Sequence, residues 1–234
     1  MNKESINNKR LSAVILIFVV MIVTMTACGG GTDAEKSASS SYTSDAVDVP
    51  ESEIAAKVGN SVITKRMGDK YSIISTYMYG YDPASLNDAA KDALLDQLID
   101  SYVIYEYYKN KGLEPLDAAY EADAAMFVQV AKEQYPDFIK EYGVSDQDLE
   151  EFYKSQFMSK TLFTEIESEY SETDMTANAY NYYTSHQDQY VAEDGTGIKN
   201  FEEVLQDVYA QLYAQYYEEK LSDIKKTVSV DKRG

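Results

Sequence analysis

The chain has 234 residues, enough for one domain of moderate size or a domain with tails. Its 40 acidic residues against 21 basic ones give a formal net charge of −19. That argues against nucleic acid as a partner, because a phosphate backbone needs clustered Lys and Arg. A single cysteine excludes an intramolecular disulfide and a Cys-rich metal site. The chain uses 22 tyrosines and no tryptophan. Tyrosine joins an apolar ring to a polar tip and suits half-wet surfaces.

Residues 1–10 carry Lys3, Lys9 and Arg10 against one acid, Glu4. Residues 11–23, "LSAVILIFVVMIV", form an apolar run too short for a comfortable membrane span. "TMTAC" then brings small residues up to Cys28, which completes the pattern of a secretory signal. A cysteine directly after "MTA" resembles a bacterial lipoprotein signal, with Met25 where Leu is usual. The resemblance implies cleavage before Cys28, a diacylglycerol on its sulfur, and a mature chain tethered on the extracytoplasmic face of the cell membrane. The alternative, an uncleaved anchor helix, places the rest of the chain on the same side. Removing residues 1–27 takes away three positive charges and one negative, two net, and moves −19 to −21.

Residues 28–52 are dominated by Gly, Ser, Thr and Asp, with little to bury, and read as a flexible tether. Residues 53–234 are expected to form the folded domain, its N- and C-terminal segments together. "AAKVGNSVIT" reads as a β-hairpin about Gly59-Asn60. A helix starting at Thr64 follows, with Met67, Tyr71, Ile74 and Met78 on one face. Ser85 with Asp88 resembles a capping box opening a long helix to about Lys111, with Leu94, Leu95, Leu98, Ile99, Tyr102 and Tyr105 at helical spacing. Gly112 is a C-cap candidate, and Pro115 suits the first turn of a helix running to about Tyr135. A short helix closed by Gly143 comes next, then one capped by Ser145 and Asp148. Thr173 is expected to open a helix to Tyr190, and Asn200 with Glu203 to cap the last one. The β-prone tail "KKTVSVDKR" is expected to pair with the hairpin, because a lone hairpin is marginal. The fold class is therefore mainly α with a small β element made of an N-terminal hairpin and a C-terminal strand.

No catalytic constellation emerges. His186 is the only histidine, so His-pair metal motifs are impossible, and it reads as a polar helix-end residue. The phosphate-loop, dinucleotide and nucleophile-elbow motifs are absent. A calcium-loop register with Gly197 at its sixth place puts Asp194, Thr196 and Glu203 at ligand positions but fails at the first, Ala192. No metal or cofactor is expected. The Met and Tyr residues are divided between helix core and an adaptable apolar groove. The groove candidates are Met67, Tyr71, Tyr77, Met78, Tyr79, Met126, Phe127 and Met158.

"AAKVGNSVITK", "ALLDQLIDSYVIYEYYKNKGLEP", "FIKEYGVSDQDLEEFYKSQFMSKTLF" and "MTANAYNYYTSHQDQY", followed by the tail from Phe201, resemble in their order the PrsA/SurA family of extracytoplasmic folding factors. The likeness spans about residues 54–230, with Gly59-Asn60 in place of the family's Asn-Gly turn. Members commonly carry a parvulin-type prolyl isomerase domain between the last two helices. Here only "VAEDGTGIKN" separates Tyr190 from Phe201, whereas an isomerase needs on the order of a hundred residues to hold its own core. The resemblance thus implies the chaperone half of that architecture, and no enzyme. The expected function is a membrane-anchored holdase for unfolded, newly exported proteins. The alternatives are an adaptor lipoprotein with one dedicated partner and, ranked below it, an active isomerase. Association of the domain into a homodimer stays open at this point.

Overall fold

The computed structural model describes residues 50–192, 195 and 197–233. The expected signal, Cys28 and the expected tether up to residue 49 lie outside the described residues. The fold is mainly α-helical with one small sheet. Two β-strands, β1 (Ile54–Val58) and β2 (Ser61–Thr64), are followed by seven helices among the described residues: α1 (Lys65–Met78), α2 (Asp88–Asn110), α3 (Ala118–Gln134), α4 (Pro136–Tyr142), α5 (Asp146–Glu169), α6 (Glu172–Ser185) and α7 (Phe201–Lys225). A third strand, β3 (Val230–Lys232), closes the chain.

The contacts divide the chain into two compact units. One holds residues 50–161 and 221–233, so the two ends of the folded chain meet in it. Its sheet has the order β2-β1-β3, with both pairings antiparallel. The hairpin and the closing strand are as the sequence leads one to expect. β1 is central, and every residue in it but Lys57 is buried; Ala56, Val58 and, across the turn, Ile63 are 0% exposed. β3 is an exposed edge strand that carries Asp231 and Lys232, and charge on an edge discourages further pairing. It is held by Val230 opposite Val58 and by a clasp of charges: Lys232 reaches Asp92 and Asp96 at 2.7 Å each, and Lys225 reaches Asp100 at 2.6 Å. The three aspartates stand four residues apart on one face of α2. Beneath the sheet and α1, α2 buries Leu98, Ile99, Tyr102, Val103 and Ile104.

The turn explains the order Gly59-Asn60. Gly59 has φ +55°, the left-handed region, and a Cβ there would lie 2.9 Å from Oε2 of Glu106 on α2. Glu106 is 1% exposed, and its Oε1 accepts from Ser61 Oγ at 2.5 Å. Glycine is needed twice over, once for the dihedral and once for the carboxylate packed under the turn.

The other unit is Leu162–Lys220. Its core joins Met175, Ala179 and Tyr183 of α6 to Val204, Val208 and Leu212 of α7, with Tyr190 from the connection. Tyr170 stacks on Tyr216 at 4.7 Å and Phe163 packs on Tyr213 at 5.1 Å. The α6–α7 connection is a closed loop: Val191 bridges Ile198, Lys199 N donates to Tyr190 O at 2.8 Å, and Tyr183 Oη donates to Lys199 O at 2.7 Å.

Three helix starts differ from expectation. Asn87, not Ser85, caps α2, its side chain accepting from Ala90 N at 2.8 Å; Ser85 ends a separate 3-10 turn capped by Asp82. Asp117 caps α3 by accepting from Ala119 N and Tyr120 N, so Pro115 stays in the loop. Ser171 caps α6, two residues before Thr173, and α6 stops at Ser185, with a 3-10 turn at Gln187–Gln189 before Tyr190.

Gly59→Ala should lower the urea midpoint by an amount equivalent to about 2–3 kcal/mol, strain plus displacement of Glu106. Gly80→Ala is the control, because Gly80 also has positive φ but nothing lies within 4 Å of its Cβ position. Equal losses in the two variants would show that Glu106 does not constrain the turn.

Candidate functional site

The candidate site is a cleft of about 220 Å³ between α1, α2 and the first turns of α5. Thr64 caps α1, its Oγ1 accepting from Met67 N at 3.1 Å, and so sets the phase of the helix. In that phase Arg66, Met67, Lys70 and Tyr71 face one side. Met67, Tyr71, Leu98 and Phe152 supply the apolar lining, and Arg66, Lys70, Asp148 and Glu151 the charged part.

Asp148 organises one wall. It is the third residue of a reciprocal cap with Ser145: its Oδ2 accepts from Ser145 N at 2.8 Å and Ser145 Oγ at 2.6 Å, while its own N–H donates to Ser145 Oγ at 3.2 Å. Arg66 Nη2 reaches its two carboxylate oxygens at 3.1 and 2.8 Å. The aspartate side chain is 7% exposed and the arginine 62%. One carboxylate therefore starts α5 and ties it to α1. Lys70 ties α1 to the end of α4, donating to Tyr142 O at 2.5 Å and Gly143 O at 3.0 Å. A cation suits that position, where the helix leaves carbonyls unpaired.

The buried Tyr102 donates through Oη to Oε2 of Glu151, which is itself only partly buried, at 2.6 Å. Burial, and then the adjacent Glu151 charge, push the Tyr102 phenol well above its ordinary value. Lys154, one turn after Glu151, places its amine 4.4 Å from the Tyr102 ring centre and 4.5 Å from that of Tyr105. Its burial lowers the ammonium pKa, against an upward pull from Glu151 and Glu106. Burial also raises Tyr71, whose hydroxyl is surrounded by Ser155, Ser75 and Gln156.

An aromatic strip continues from the cleft along α5 and α3. Tyr71 packs on Phe152 at 5.8 Å, Phe152 on Phe127 at 5.9 Å, Phe127 on Tyr153 at 5.3 Å, and Tyr120 on Phe157 at 5.1 Å. The groove candidates therefore do not form one surface. Met67 and Tyr71 line the cleft, and Phe127 lies in the strip. Met126, next to Phe127, is 50% exposed. Tyr77 stacks on Phe138 at 3.8 Å and Tyr135 edges it at 5.6 Å, so it closes α4 onto α1. Met78 and Tyr79 are half-buried at the end of α1, outside the cleft lining. Met158 is 0% exposed and belongs to the core. Sequence reasoning missed Arg66, Lys70, Asp148 as an anchor, Glu151 and Phe152. The Ser145-Asp148 cap was the one local signal among them.

In the other unit an open recess is lined by Thr173, Thr176, Ala177, Tyr180 and Phe201, with no acidic or basic side chain. His186 ends α6, its Nδ1 2.8 Å from Tyr182 O and its ring stacked on Tyr182 at 4.2 Å. Among the described residues no group of three or more His, Cys, Asp or Glu side chains could hold a metal, and no helix is long and apolar enough to cross a membrane. Comparison with protein-family models, curated proteins and solved structures gives no match to this chain.

Two predictions follow from this geometry. Asp148→Ala removes the acceptor of Ser145 N and Oγ, half of the reciprocal cap, and strands Arg66. It should cost about 1–2 kcal/mol in urea unfolding, whereas Arg66→Ala should cost under about 1 kcal/mol, because the arginine is largely exposed. Equal losses would contradict the division of labour.

The second concerns tyrosine ionisation. Burial raises Tyr79, Tyr153 and Tyr190 to about 12 each, against an ordinary 10.0. Below pH 10 these phenols are neutral in the folded and the unfolded chain, and their contribution to stability is complete. Above it the unfolded chain ionises first, so stability falls as pH rises from about 10 to about 12. Lys154 works in the opposite sense, its burial becoming less costly as it loses its proton. Absorbance at 295 nm should show a tyrosinate fraction that ionises only near pH 12, together with loss of helix by circular dichroism. Uniform titration near pH 10 with the helices intact would contradict this.

Proposed function

We propose that this protein is a lipid-anchored extracytoplasmic chaperone of the holdase kind. It binds unfolded exported chains through the α1–α5 cleft and the adjoining aromatic strip, without covalent chemistry. The observation that carries the reading is the cleft itself: an apolar floor of Met67, Tyr71, Leu98 and Phe152 ringed by polar groups, continuous through Phe152 with the strip that includes Phe127. Methionine and tyrosine adapt to varied apolar side chains at little cost in specificity. The lipoprotein-like start and the motif order that resembles PrsA/SurA folding factors support the same reading. So does the net charge of −19, which keeps a loaded complex soluble and attracts basic client segments.

The test is aggregation suppression by the full chain in lipid nanodiscs, with a chemically denatured client diluted into it. Suppression at stoichiometric amounts is expected, and Met67→Glu should raise the amount required several-fold, since it places an unpaired charge against the apolar floor. A wild-type chain that suppresses nothing would overturn the holdase reading in favour of a dedicated adaptor. For the anchor, cells fed radiolabelled palmitate should label the protein, and Cys28→Ala should abolish both label and membrane retention. Retention of the unlabelled variant in the membrane would point to an uncleaved anchor helix.

A further inference from the structure

The cleft is small, and its charges are unequally engaged. An apolar cavity of about 150 Å³ already accommodates a benzene ring. A cleft of about 220 Å³ therefore takes one large side chain and has no room for a helix or for two adjacent side chains.

Among the charged groups, Arg66 is committed to Asp148 and Lys70 to the carbonyls of Tyr142 and Gly143. Asp148 also receives two donors from Ser145. Glu151 differs: its Oε2 accepts from Tyr102, and it forms no ion pair among the described residues. Lys154 feels the Glu151 charge, but its amine is drawn over the faces of Tyr102 and Tyr105. The acceptor with spare capacity in the cleft is thus a carboxylate oxygen beside an apolar floor.

We infer that the cleft is an anchor site for an extended peptide in which one large apolar side chain stands two residues from a Lys or Arg, because alternate side chains of an extended chain share a face. The apolar side chain enters between Met67, Tyr71, Leu98 and Phe152. The cation meets Glu151. The ligand is a short unstructured segment, because an extended chain presents one side chain to so narrow an opening, turns the next away, and brings the one after it back to the mouth beside Glu151. The occupant's charge also complements a chain of net −19, whose field favours cationic segments at the encounter stage. The inference rests on the holdase reading and sharpens it: clients are taken at apolar-basic pairs and not at apolar stretches in general.

The test uses the full chain in nanodiscs and fluorescent capped peptides of an alanine and serine background, read by anisotropy. One peptide carries Phe and Lys separated by one serine (Phe-Lys), and three others carry, at the same spacing, Phe and norleucine (Phe-norleucine), Phe and Glu (Phe-Glu) and Ala and Lys (Ala-Lys). Phe-Lys should bind about tenfold more tightly than Phe-norleucine, the effect of a hydrogen bond to a charged group, and Phe-Glu and Ala-Lys should bind more weakly still. Glu151→Gln keeps an acceptor for Tyr102 and should bring Phe-Lys and Phe-norleucine to equal affinity. Equal binding of Phe-Lys and Phe-Glu by the wild-type chain would overturn the inference without any variant. So would a lysine preference that survives Glu151→Gln. Either result alongside intact aggregation suppression leaves the holdase reading standing, whereas absent suppression removes that reading whatever the peptides do.

Discussion

The cleft depends on one carboxylate. Asp148 is nearly buried, closes the first turn of α5 through Ser145, and holds the guanidinium of Arg66 from α1. A carboxylate so placed would be costly without donors, and here it has them from two elements. Its contribution comes mostly from the cap, because Arg66 is exposed to screening solvent. The consequence is geometric. α1 and α5 meet through these polar contacts at the rim and through Tyr71 packed on Phe152 below them. Lys70 adds a polar contact at the end of α4. These polar braces lie outside the apolar lining of the cleft.

Tyrosine sets the character of both units. In the α6–α7 unit it fills the core, with Tyr183 and Tyr190 buried and Tyr170 stacked on Tyr216. In the other unit it bridges core and surface: Tyr71 and Tyr102 are buried with their hydroxyls near polar partners, and Tyr153 and Tyr120 continue outward. A core of this kind tolerates water at its edges better than one of Leu and Ile, because each ring ends in a group that can hydrogen-bond. That property suits a protein whose proposed work is to exchange apolar contacts with other chains.

Much of the fold was legible because its signals are local. The Ser145-Asp148 spacing, the glycine after α4 and the Gly59-Asn60 turn each specify a backbone geometry within a few residues. The closing strand could be inferred because a two-stranded hairpin is too small to stand alone. Errors arose where two local signals competed. Ser85 and Asn87 both precede an acidic first turn, and the choice between them was made by the turn that Asp82 caps. The site was less legible for a different reason. Met67 and Met158 were both groove candidates, yet one lines a cleft and the other is sealed in the core, and tertiary packing alone separates them. Arg66 and Asp148 are 82 residues apart, so no local pattern joins them.

The central claim is that unfolded chains enter between α1 and α5. The most direct measurement places a photo-crosslinking benzoylphenylalanine at Met67 and, in a second protein, at Tyr180, which is 53% exposed in the other unit. Each is irradiated with a denatured client, and the crosslinked peptides are identified by mass spectrometry. The account predicts abundant client adducts from position 67, centred on apolar residues two positions from Lys or Arg, and few from position 180. Adducts of equal yield at both positions, or from position 180 alone, would contradict it.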